Sequence, residues 1–375
     1  MKGQLYNLMF FIGLCATAFN LTYSNGIAKI VAMSSFTLLF IIACIRSQYT
    51  YKPQLFKRWL FYILIMVLVD LCYGITNLSY PITHAMPLMI AFSSTYLFCK
   101  EKDNLVPYII MFGIFASFCS VVTVINGMGS IVVALDSYSS EIEKNQVAPF
   151  FSSISTVTTY LMLQKNTKLY KRCLLGLISI FCLYPALYLS CRTALICYFL
   201  ITVLLVWKEY KITGLVIGAL MIVGILLLGG DGLYQTVYDS IIGNRDVHDF
   251  NSMTSNRGVI VERALKFIPQ HFFFGIFGDQ VNYYPLKPHI FILQKLMYYG
   301  LWGVIPYILL YVSIFRLFFK SLKFKHYLAI GALSLPLLES FAEYMAPFGP
   351  GTVYVFCYII IGLFIREYYN IQISK

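Results

Sequence analysis

The chain has 375 residues, of which 59% are hydrophobic and only 12% are charged. A soluble domain is about 45–50% apolar and about 25% charged, so the composition excludes an ordinary soluble protein and indicates a polytopic membrane protein. The net charge of +12 does not indicate a nucleic-acid partner, because the basic residues lie in short segments between apolar runs, where topology signals are found.

Apolar runs follow one another along the whole chain. Because a span needs about 20 apolar residues, we predict an all-α, single membrane domain over residues 1–375 with about twelve transmembrane helices. The predicted spans cover residues 5–23, 27–45, 59–78, 82–99, 105–125, 147–163, 173–190, 193–207, 212–230, 293–317, 327–345 and 352–365. The ten cysteines lie in or beside these runs without a Cys-x-x-Cys pair, so neither a disulfide framework nor a metal site is expected.

The apolar run from Cys173 to Trp207 contains an arginine, Arg192, near its middle. A charge at the centre of a bilayer costs at least a few kcal/mol. The run is also too long for one span. We therefore predict two helices joined by a tight turn at residues 190–193, which places Arg192 at a membrane surface.

The positions of Lys and Arg predict the orientation of the spans. With the N-terminus in the cytoplasm, the inside segments hold 19 of these residues and the outside segments hold 6. Cytoplasmic loops are enriched in Lys and Arg, so both termini are predicted to be cytoplasmic and Arg192 to face the outside.

Two segments on the predicted outer side are long, residues 126–146 and 231–292. The second contains an amphipathic helix near residues 256–268, which Pro269 ends. Its predicted charged face holds Glu262, Arg263 and Lys266, and its predicted apolar face holds Ile260, Val261, Ala264, Leu265 and Ile268. Such a helix lies on the outer leaflet or across the spans.

Several ionisable residues within the predicted spans lie in their outer halves, namely Asp70, Lys295, Glu339 and Glu343. Intramembrane ionisable groups normally face a bundle interior or a wet cavity, so the shared depth predicts one polar cavity open to the outside. The alternative for each residue is a structural ion pair, for example Lys295 with Glu343.

Three outer-side residues have the chemistry of a diphosphate site. Arg192 is fixed in a turn, Arg257 lies in the first turn of the amphipathic helix, and His289 precedes the span at 293–317. Guanidinium forks bind phosphate oxygens bidentately, and a neutral His can accept a proton from a sugar hydroxyl. The alternatives are that Arg192 snorkels to the headgroups, that Arg257 is a solvated helix charge and that His289 is an interfacial anchor.

Three segments in this order resemble the O-antigen polymerase and O-antigen ligase (Wzy/WaaL) superfamily of bacterial envelopes. LSCRTAL resembles the family's Ser-Arg-Thr/Gly-Ala helix turn, and SNRGVIVERALKFIPQHFFFGIFG resembles its loop segment. KPHIFILQKLMYYGLWGV resembles its His-Asn-x-x-Leu segment. Cys191 stands where the family usually has Ser. Ile290 stands where the family has Asn, so the detailed role of the family's histidine transfers less directly to His289.

The resemblance implies a GT-C-like glycosyltransferase of the bacterial inner (cytoplasmic) membrane, acting on its periplasmic side. The donor would be a glycan linked to undecaprenyl diphosphate. Arg192 and Arg257 would bind the leaving diphosphate and His289 would activate the acceptor hydroxyl, without a metal or cofactor. Further predicted substrate-binding residues are Arg263, Arg245, Lys287, Glu339, Glu343 and Asp70. The expected partners are the lipid-linked oligosaccharide, membrane lipid and a chain-length regulator protein.

A repeat-unit polymerase of O-antigen, capsule or exopolysaccharide is the favoured function. An O-antigen ligase acting on lipid A core is not cleanly separated from it by sequence. A lipid-linked oligosaccharide flippase should line a central path with cations at both depths, whereas the charges here cluster on one side. A membrane acyltransferase would need an acyl carrier on the cytoplasmic side, where this chain has only short basic loops.

Overall fold

A computed structural model describes the chain in several ranges, and within them every regular element is a helix. The described residues are 2–23, 25–48, 53–72, 79–98, 105–134, 144–164, 167–189, 191–228, 235, 238, 257–276, 288–343, 347–348 and 353–369. An all-α fold is therefore confirmed for these ranges.

The helices follow the predicted spans closely. They are α1 (Lys2–Tyr23), α2 (Gly26–Ser47), α3 (Gln54–Cys72), α4 (Ser79–Leu97), α5 (Leu105–Ala134), α6 (Lys144–Leu163), α7 (Leu169–Tyr188), α8 (Arg192–Leu228), α9 (Arg257–Phe267), the 3₁₀ helix η1 (Ile268–His271), α10 (Phe291–Lys323), α11 (Tyr327–Glu339) and α12 (Val355–Tyr368). Each predicted span overlaps one of these helices or, for 193–207 and 212–230, one part of α8.

Six helical segments in the described ranges are long and apolar enough to cross a membrane. They lie in α1, α2, α5, α7, α8 and α10. The apolar parts of α4 and α11 are shorter, at Ala85–Leu97 and Leu328–Glu339. These helices support a membrane protein, while the larger number of twelve spans stays a prediction.

The distribution of side chains also fits a membrane. Large apolar residues such as Ile27, Ile30 and Leu60 are exposed on the outer helices, whereas hydroxyl residues of α6 such as Ser152 and Thr158 are fully buried. In a bilayer, outward-facing apolar side chains contact lipid, whereas polar groups need hydrogen-bond partners inside the protein. The surface of the bundle is therefore suited to lipid.

Two helices, α6 and α12, form the centre of the bundle. Every residue from Val355 to Ile365 is buried, and so is most of α6. In α12, Gly362 has no side chain to separate it from Ala91 of α4, and the Thr95 hydroxyl donates to the Gly362 carbonyl at 2.9 Å. Small residues allow such close backbone approach between membrane helices.

A group of four hydroxyls, three from buried residues and one from the half-buried Tyr198, joins α6, α7 and α8. We call Ser155, Thr159, Ser179 and Tyr198 the hydroxyl network. The Ser155 and Ser179 hydroxyls are 2.8 Å apart, those of Thr159 and Tyr198 are 2.8 Å apart, and Ser179 lies 3.1 Å from Tyr198. Since Tyr198 lies in the second turn of α8, the network fixes where that helix starts relative to α6.

The predicted turn around Arg192 is confirmed. Helix α7 ends at Tyr188 and α8 begins at Arg192, while the Cys191 N–H donates to the Ala186 carbonyl at 2.9 Å. Further along, α8 is broken at Lys211, whose φ of 58° is outside the helical range. This break coincides with the predicted separation between the spans at 193–207 and 212–230.

Helix α10 is broken at Gly300, and the segment after η1 docks onto the break. Gly275 and Gly300 have φ angles of 67° and 64°, which favour glycine, and a Cβ on either would overlap backbone of the facing segment. The Leu301 N–H donates to the Phe272 carbonyl at 2.7 Å, and the Ile276 N–H donates to the Met297 carbonyl at 3.0 Å. The outer segment is thereby attached to α10 through its backbone.

Three predicted boundaries are wrong. Helix α5 continues to Ala134 and α6 already begins at Lys144, so much of the predicted loop 126–146 is helical. The glycines that precede residues 131–134 do not end α5, because glycine within an apolar helix is tolerated. The apolar residues 131–134 therefore extend the helix. The predicted span 327–345 ends as a helix at Glu339, where the Ser340 carbonyl instead accepts a hydrogen bond from the Phe291 N–H at 3.1 Å.

Candidate functional site

Arg257, the first residue of α9, contacts two other segments of the chain. Its guanidinium donates to the Ala342 carbonyl at 2.6 Å, to Glu343 Oε1 at 2.9 Å and to the Thr193 hydroxyl at 3.3 Å. The arginine side chain keeps 31% of its surface exposed. Arg257 therefore links the start of α8 to the end of α11 while part of it still faces outward.

Glu343 is at the centre of these contacts. The Thr193 hydroxyl donates to its Oε1 at 3.3 Å, and His289 Nδ1 lies 3.8 Å from its Oε2. We call Thr193, Arg257, His289 and Glu343 the ionic cluster. One carboxylate thus faces an arginine, a histidine and a threonine that come from three separate segments.

The fold brings these segments together by contacts of its own. The hydrogen bond from the Phe291 N–H to the Ser340 carbonyl holds the start of α10 against the end of α11, so His289 and Glu343 become neighbours. Helix α9 packs inward through Ala264, and η1 packs inward through its first residue, Ile268; both residues are buried. Its predicted charged face is exposed, in agreement with the sequence pattern.

The inward face of α9 differs from the prediction at one residue. Leu265 was expected on the apolar face, but its side chain is 55% exposed. The helix ends at Phe267 and is followed by the 3₁₀ turn η1, which contains Pro269. This ending agrees with the prediction, because proline has no N–H with which to continue an α-helix.

Arg192 is the first residue of α8 and is partly buried. Its neighbour Thr193 contacts both Arg257 and Glu343. Consecutive Cα atoms are about 3.8 Å apart, so the backbone of Arg192 lies beside the ionic cluster. The structure thus brings the segments of all three predicted catalytic residues to one end of the bundle.

The charge of Glu343 follows from its surroundings. Burial alone would raise the pKa of this carboxyl, but the nearby His289 and the positive charge of Arg257 outweigh burial, so the pKa lies below the ordinary value of 4.5. The carboxylate is therefore charged at neutral pH. It forms an ion pair with Arg257, whose guanidinium nitrogen lies 2.9 Å from Oε1.

Two predicted acidic residues lie deeper in the bundle. Glu339 is fully buried in α11 and accepts a hydrogen bond from the Tyr354 hydroxyl. Asp70 is buried in α3, beside Lys295 and Tyr299 of α10. The suggested pair of Lys295 with Glu343 is wrong, because Glu343 pairs with Arg257 and the charge partner of Lys295 is Asp70.

Of the remaining predicted basic residues, Arg263 is described by the structure and is not part of the ionic cluster. Arg263 is exposed on α9, six residues from Arg257 and hence on another side of the helix. Arg245 and Lys287 lie outside the described residues.

Two polar residues near the ionic cluster were not singled out in the sequence. The only sequence signal for a role of Thr193 was its position next to Arg192. A threonine at the start of a helix is too common to indicate a functional site. Gln294 in the first turn of α10 is buried, and its side-chain amide has no hydrogen-bond partner among the described residues. The only sequence signal for Gln294 was that it is a neutral polar residue within an apolar run, and we assign this residue no role.

The ionic cluster has the donors and the base of a group-transfer site. Its contacts use three of the five N–H donors that a guanidinium carries, so Arg257 can still bind an anion. Nδ1 of His289 faces Glu343 Oε2 at 3.8 Å, and 30% of the histidine side chain is exposed. A carboxylate beside one ring nitrogen of a histidine favours the tautomer with the proton on that nitrogen.

A metal site is not formed by these residues. In the part of the chain that the structure describes, no three His, Cys, Asp or Glu side chains converge as metal ligands would.

Comparison with known proteins does not place the chain in a family. No protein-family model matches the sequence, and a search of curated proteins finds no match either. A function can therefore be inferred only from the residues of the ionic cluster and from the motifs that contain them.

Proposed function

We propose that the protein is a polysaccharide repeat-unit polymerase of the Wzy type. It transfers a glycan from undecaprenyl diphosphate to a hydroxyl of an acceptor sugar at the outer face of the bacterial cytoplasmic membrane. The sequence segments around Arg192, Arg257 and His289 motivate the family, and the ionic cluster supports the chemistry.

One observation carries the proposal. Arg257 of the outer helix α9 and His289, just before α10, both face the carboxylate of Glu343. Thr193, which follows Arg192 in the chain, donates a hydrogen bond to the same carboxylate. A structural ion pair would need only Arg257 and Glu343. The addition of a histidine that keeps 30% of its side chain exposed supplies a base at the carboxylate that Arg257 also contacts.

The proposed step breaks one bond and forms another. The acceptor hydroxyl attacks the anomeric carbon of the donor glycan, and the bond from that carbon to the diphosphate oxygen breaks. His289 Nε2 takes the hydroxyl proton, and undecaprenyl diphosphate leaves with the bonding electrons. Arg192 and Arg257 bind the charge that accumulates on the leaving diphosphate, and such contacts lower the barrier because they strengthen in the transition state.

The same proposal includes a GT-C-like arrangement of about twelve spans with both termini in the cytoplasm. The excess of Lys and Arg in the predicted inside segments supports this orientation. A chain-length regulator is the expected protein partner. The lipid tail of the donor would lie between helices, where their surfaces are apolar.

The test is a reaction with purified components. The substrate is lipid-linked repeat unit extracted from cells of the source organism that lack this gene, and the enzyme is the full chain in lipid nanodiscs. We expect a ladder of longer glycans and release of undecaprenyl diphosphate. Lys266→Ala is the control for variants of Arg257, because Lys266 is exposed on α9 and pairs with Glu262.

Other outcomes would replace the proposal. Glycan transfer only after lipid A core is added, without chain extension, would indicate a ligase. Movement of the lipid-linked unit across a vesicle membrane, without a new glycosidic bond, would indicate a flippase. Either result would show that the polymerase assignment is wrong.

A further inference from the structure

Three consecutive aromatic residues project outward from the segment that follows α9 and η1. Phe272, Phe273 and Phe274 are 39%, 64% and 71% exposed. Aromatic side chains normally contribute large buried areas to a core, so three neighbouring exposed rings indicate a surface that something else covers.

The position of this aromatic triplet is fixed by its backbone. The Phe272 carbonyl accepts from the Leu301 N–H at 2.7 Å, and the Phe273 carbonyl accepts from the Trp302 N–H at 3.3 Å. These bonds lie at the break in α10 next to Gly300. The rings therefore adjoin the start of the second part of α10, residues 301–323.

That second part of α10 has the features of a membrane span. At about 1.5 Å per residue, it is long enough to cross a hydrocarbon core of about 30 Å. Trp302, Ile305 and Leu309 are exposed at helical spacing, which forms an apolar stripe suited to lipid. Its basic residues, Arg316, Lys320 and Lys323, lie toward the other end. Trp302 thus marks the membrane surface opposite the basic end.

We propose that the aromatic triplet inserts into the lipid bilayer at this surface and anchors α9 to it. The occupant of the exposed surface is membrane lipid, because the triplet continues the lipid-facing stripe of α10 and lies beside Trp302. Aromatic rings are enriched at the level of the lipid headgroups, where their flat apolar faces meet the edge of the acyl region.

The anchor has a direct consequence for Arg257. Only η1 separates the triplet from α9, and the two helices are held on their inner side by Ala264 of α9 and Ile268 of η1. The depth of the triplet therefore sets the depth of α9, and the guanidinium at its first residue is kept near the lipid headgroups. This inference concerns the surface of the protein and does not require glycosyl transfer.

Photocrosslinking in lipid nanodiscs tests the anchor. p-Benzoylphenylalanine replaces Phe273 or Phe274 in the full chain, and the lipids carry a detectable label on their acyl chains. Ile305 is the positive control, and Glu262, exposed on the charged face of α9, is the negative control. We expect lipid adducts at 273 and 274 as strong as those at 305 and well above those at 262.

The inference fails if adducts at 273 and 274 are no stronger than at 262, or if they join two copies of the chain instead of lipid. A second measurement covers the case in which the photoreactive residue disturbs folding. Phe273→Trp adds one tryptophan, and its added fluorescence should be quenched by brominated lipid and not by aqueous iodide. Quenching by iodide alone would overturn the anchor.

Discussion

The ionic cluster and the hydroxyl network hold neighbouring parts of the molecule together in different ways. The ionic cluster joins four segments that are far apart in the chain, contains charges and is partly exposed at Arg257 and His289. The hydroxyl network joins the three consecutive helices α6, α7 and α8 and is neutral and almost wholly buried. Under the proposed function, the ionic cluster acts on the substrate, whereas the hydroxyl network positions the helices around it.

The two regions also differ in the free energy that each of their hydrogen bonds contributes to stability. A hydrogen bond to a charged group contributes about 1.5–3 kcal/mol, and a hydrogen bond between polar side chains of membrane helices contributes about 0.6 kcal/mol on average. The hydroxyl network should also be insensitive to pH, because it consists of uncharged hydroxyl groups. Changes in the ionic cluster should therefore affect activity most, and changes in the hydroxyl network should affect stability slightly.

The largest expected effect is on catalysis by His289. His289→Gln keeps a hydrogen-bonding side chain but cannot take the proton, so we expect a rate loss of about 10²–10⁴-fold, the usual range for a lost general base. Release of undecaprenyl diphosphate by the purified variant measures the rate. A variant within a few-fold of the wild type would limit His289 to positioning the acceptor.

The next effect is on the binding of the leaving group. Arg257→Ala removes three hydrogen bonds and a cation, and we expect a loss of about 10²–10³-fold in the turnover rate, as for removal of a donor to transition-state charge. Arg257→Lys should recover only part of this rate, because an ammonium lacks the fork. Arg192→Ala should behave similarly.

Two controls separate binding from folding in these arginine variants. Lys266→Ala should leave the rate unchanged, and the membrane content of each variant should equal that of the wild type. Full activity in Arg257→Lys would reduce the role of the arginine to bulk charge.

A smaller effect concerns stability and its pH dependence at Glu343. The folded-state pKa lies below 4.5, so the stabilising contacts of the carboxylate are complete above that pH and are lost as the pH falls through the lower folded-state value. Glu343→Gln should be less stable than the wild type at neutral pH, and the difference in melting temperature should shrink in acid. A difference that does not change with pH would show that charge at Glu343 does not matter.

The smallest effect is expected in the hydroxyl network. Ser179→Ala removes a hydroxyl that lies near three others, and we expect a loss of stability of about 0.6–1.7 kcal/mol, the range for such bonds between membrane helices. Its difference in melting temperature from the wild type should be the same at neutral and acidic pH. A loss of activity as large as that of Arg257→Ala would contradict the division between the two regions.

Features that depend on local rules could be predicted from the sequence. The turn at Arg192 followed from the cost of a charge within a long apolar run, and α9 followed from its periodicity and from Pro269. The segment of Arg257 could be placed on the same side as Arg192 because the distribution of Lys and Arg orients the spans. None of these features depends on which helices are neighbours.

Features that depend on tertiary contacts could not be predicted. Glu343 pairs with Arg257 and not with Lys295, because α9 packs against the end of α11 while Lys295 faces Asp70 of α3. The end of α11 at Glu339 is set by the bond between the Phe291 N–H and the Ser340 carbonyl. A sequence gives the depth of each residue in its span but does not show which partner it faces.

The chain order of the ionic cluster has a consequence for the biosynthesis of the protein. Thr193, Arg257, His289 and Glu343 are made in that order, because synthesis proceeds from the N-terminus. Arg257 therefore leaves the ribosome well before its carboxylate exists, and it cannot be oriented until α10 and α11 have entered the membrane. A nascent chain stopped before Glu343 would carry every predicted catalytic residue and still lack the group that aligns two of them.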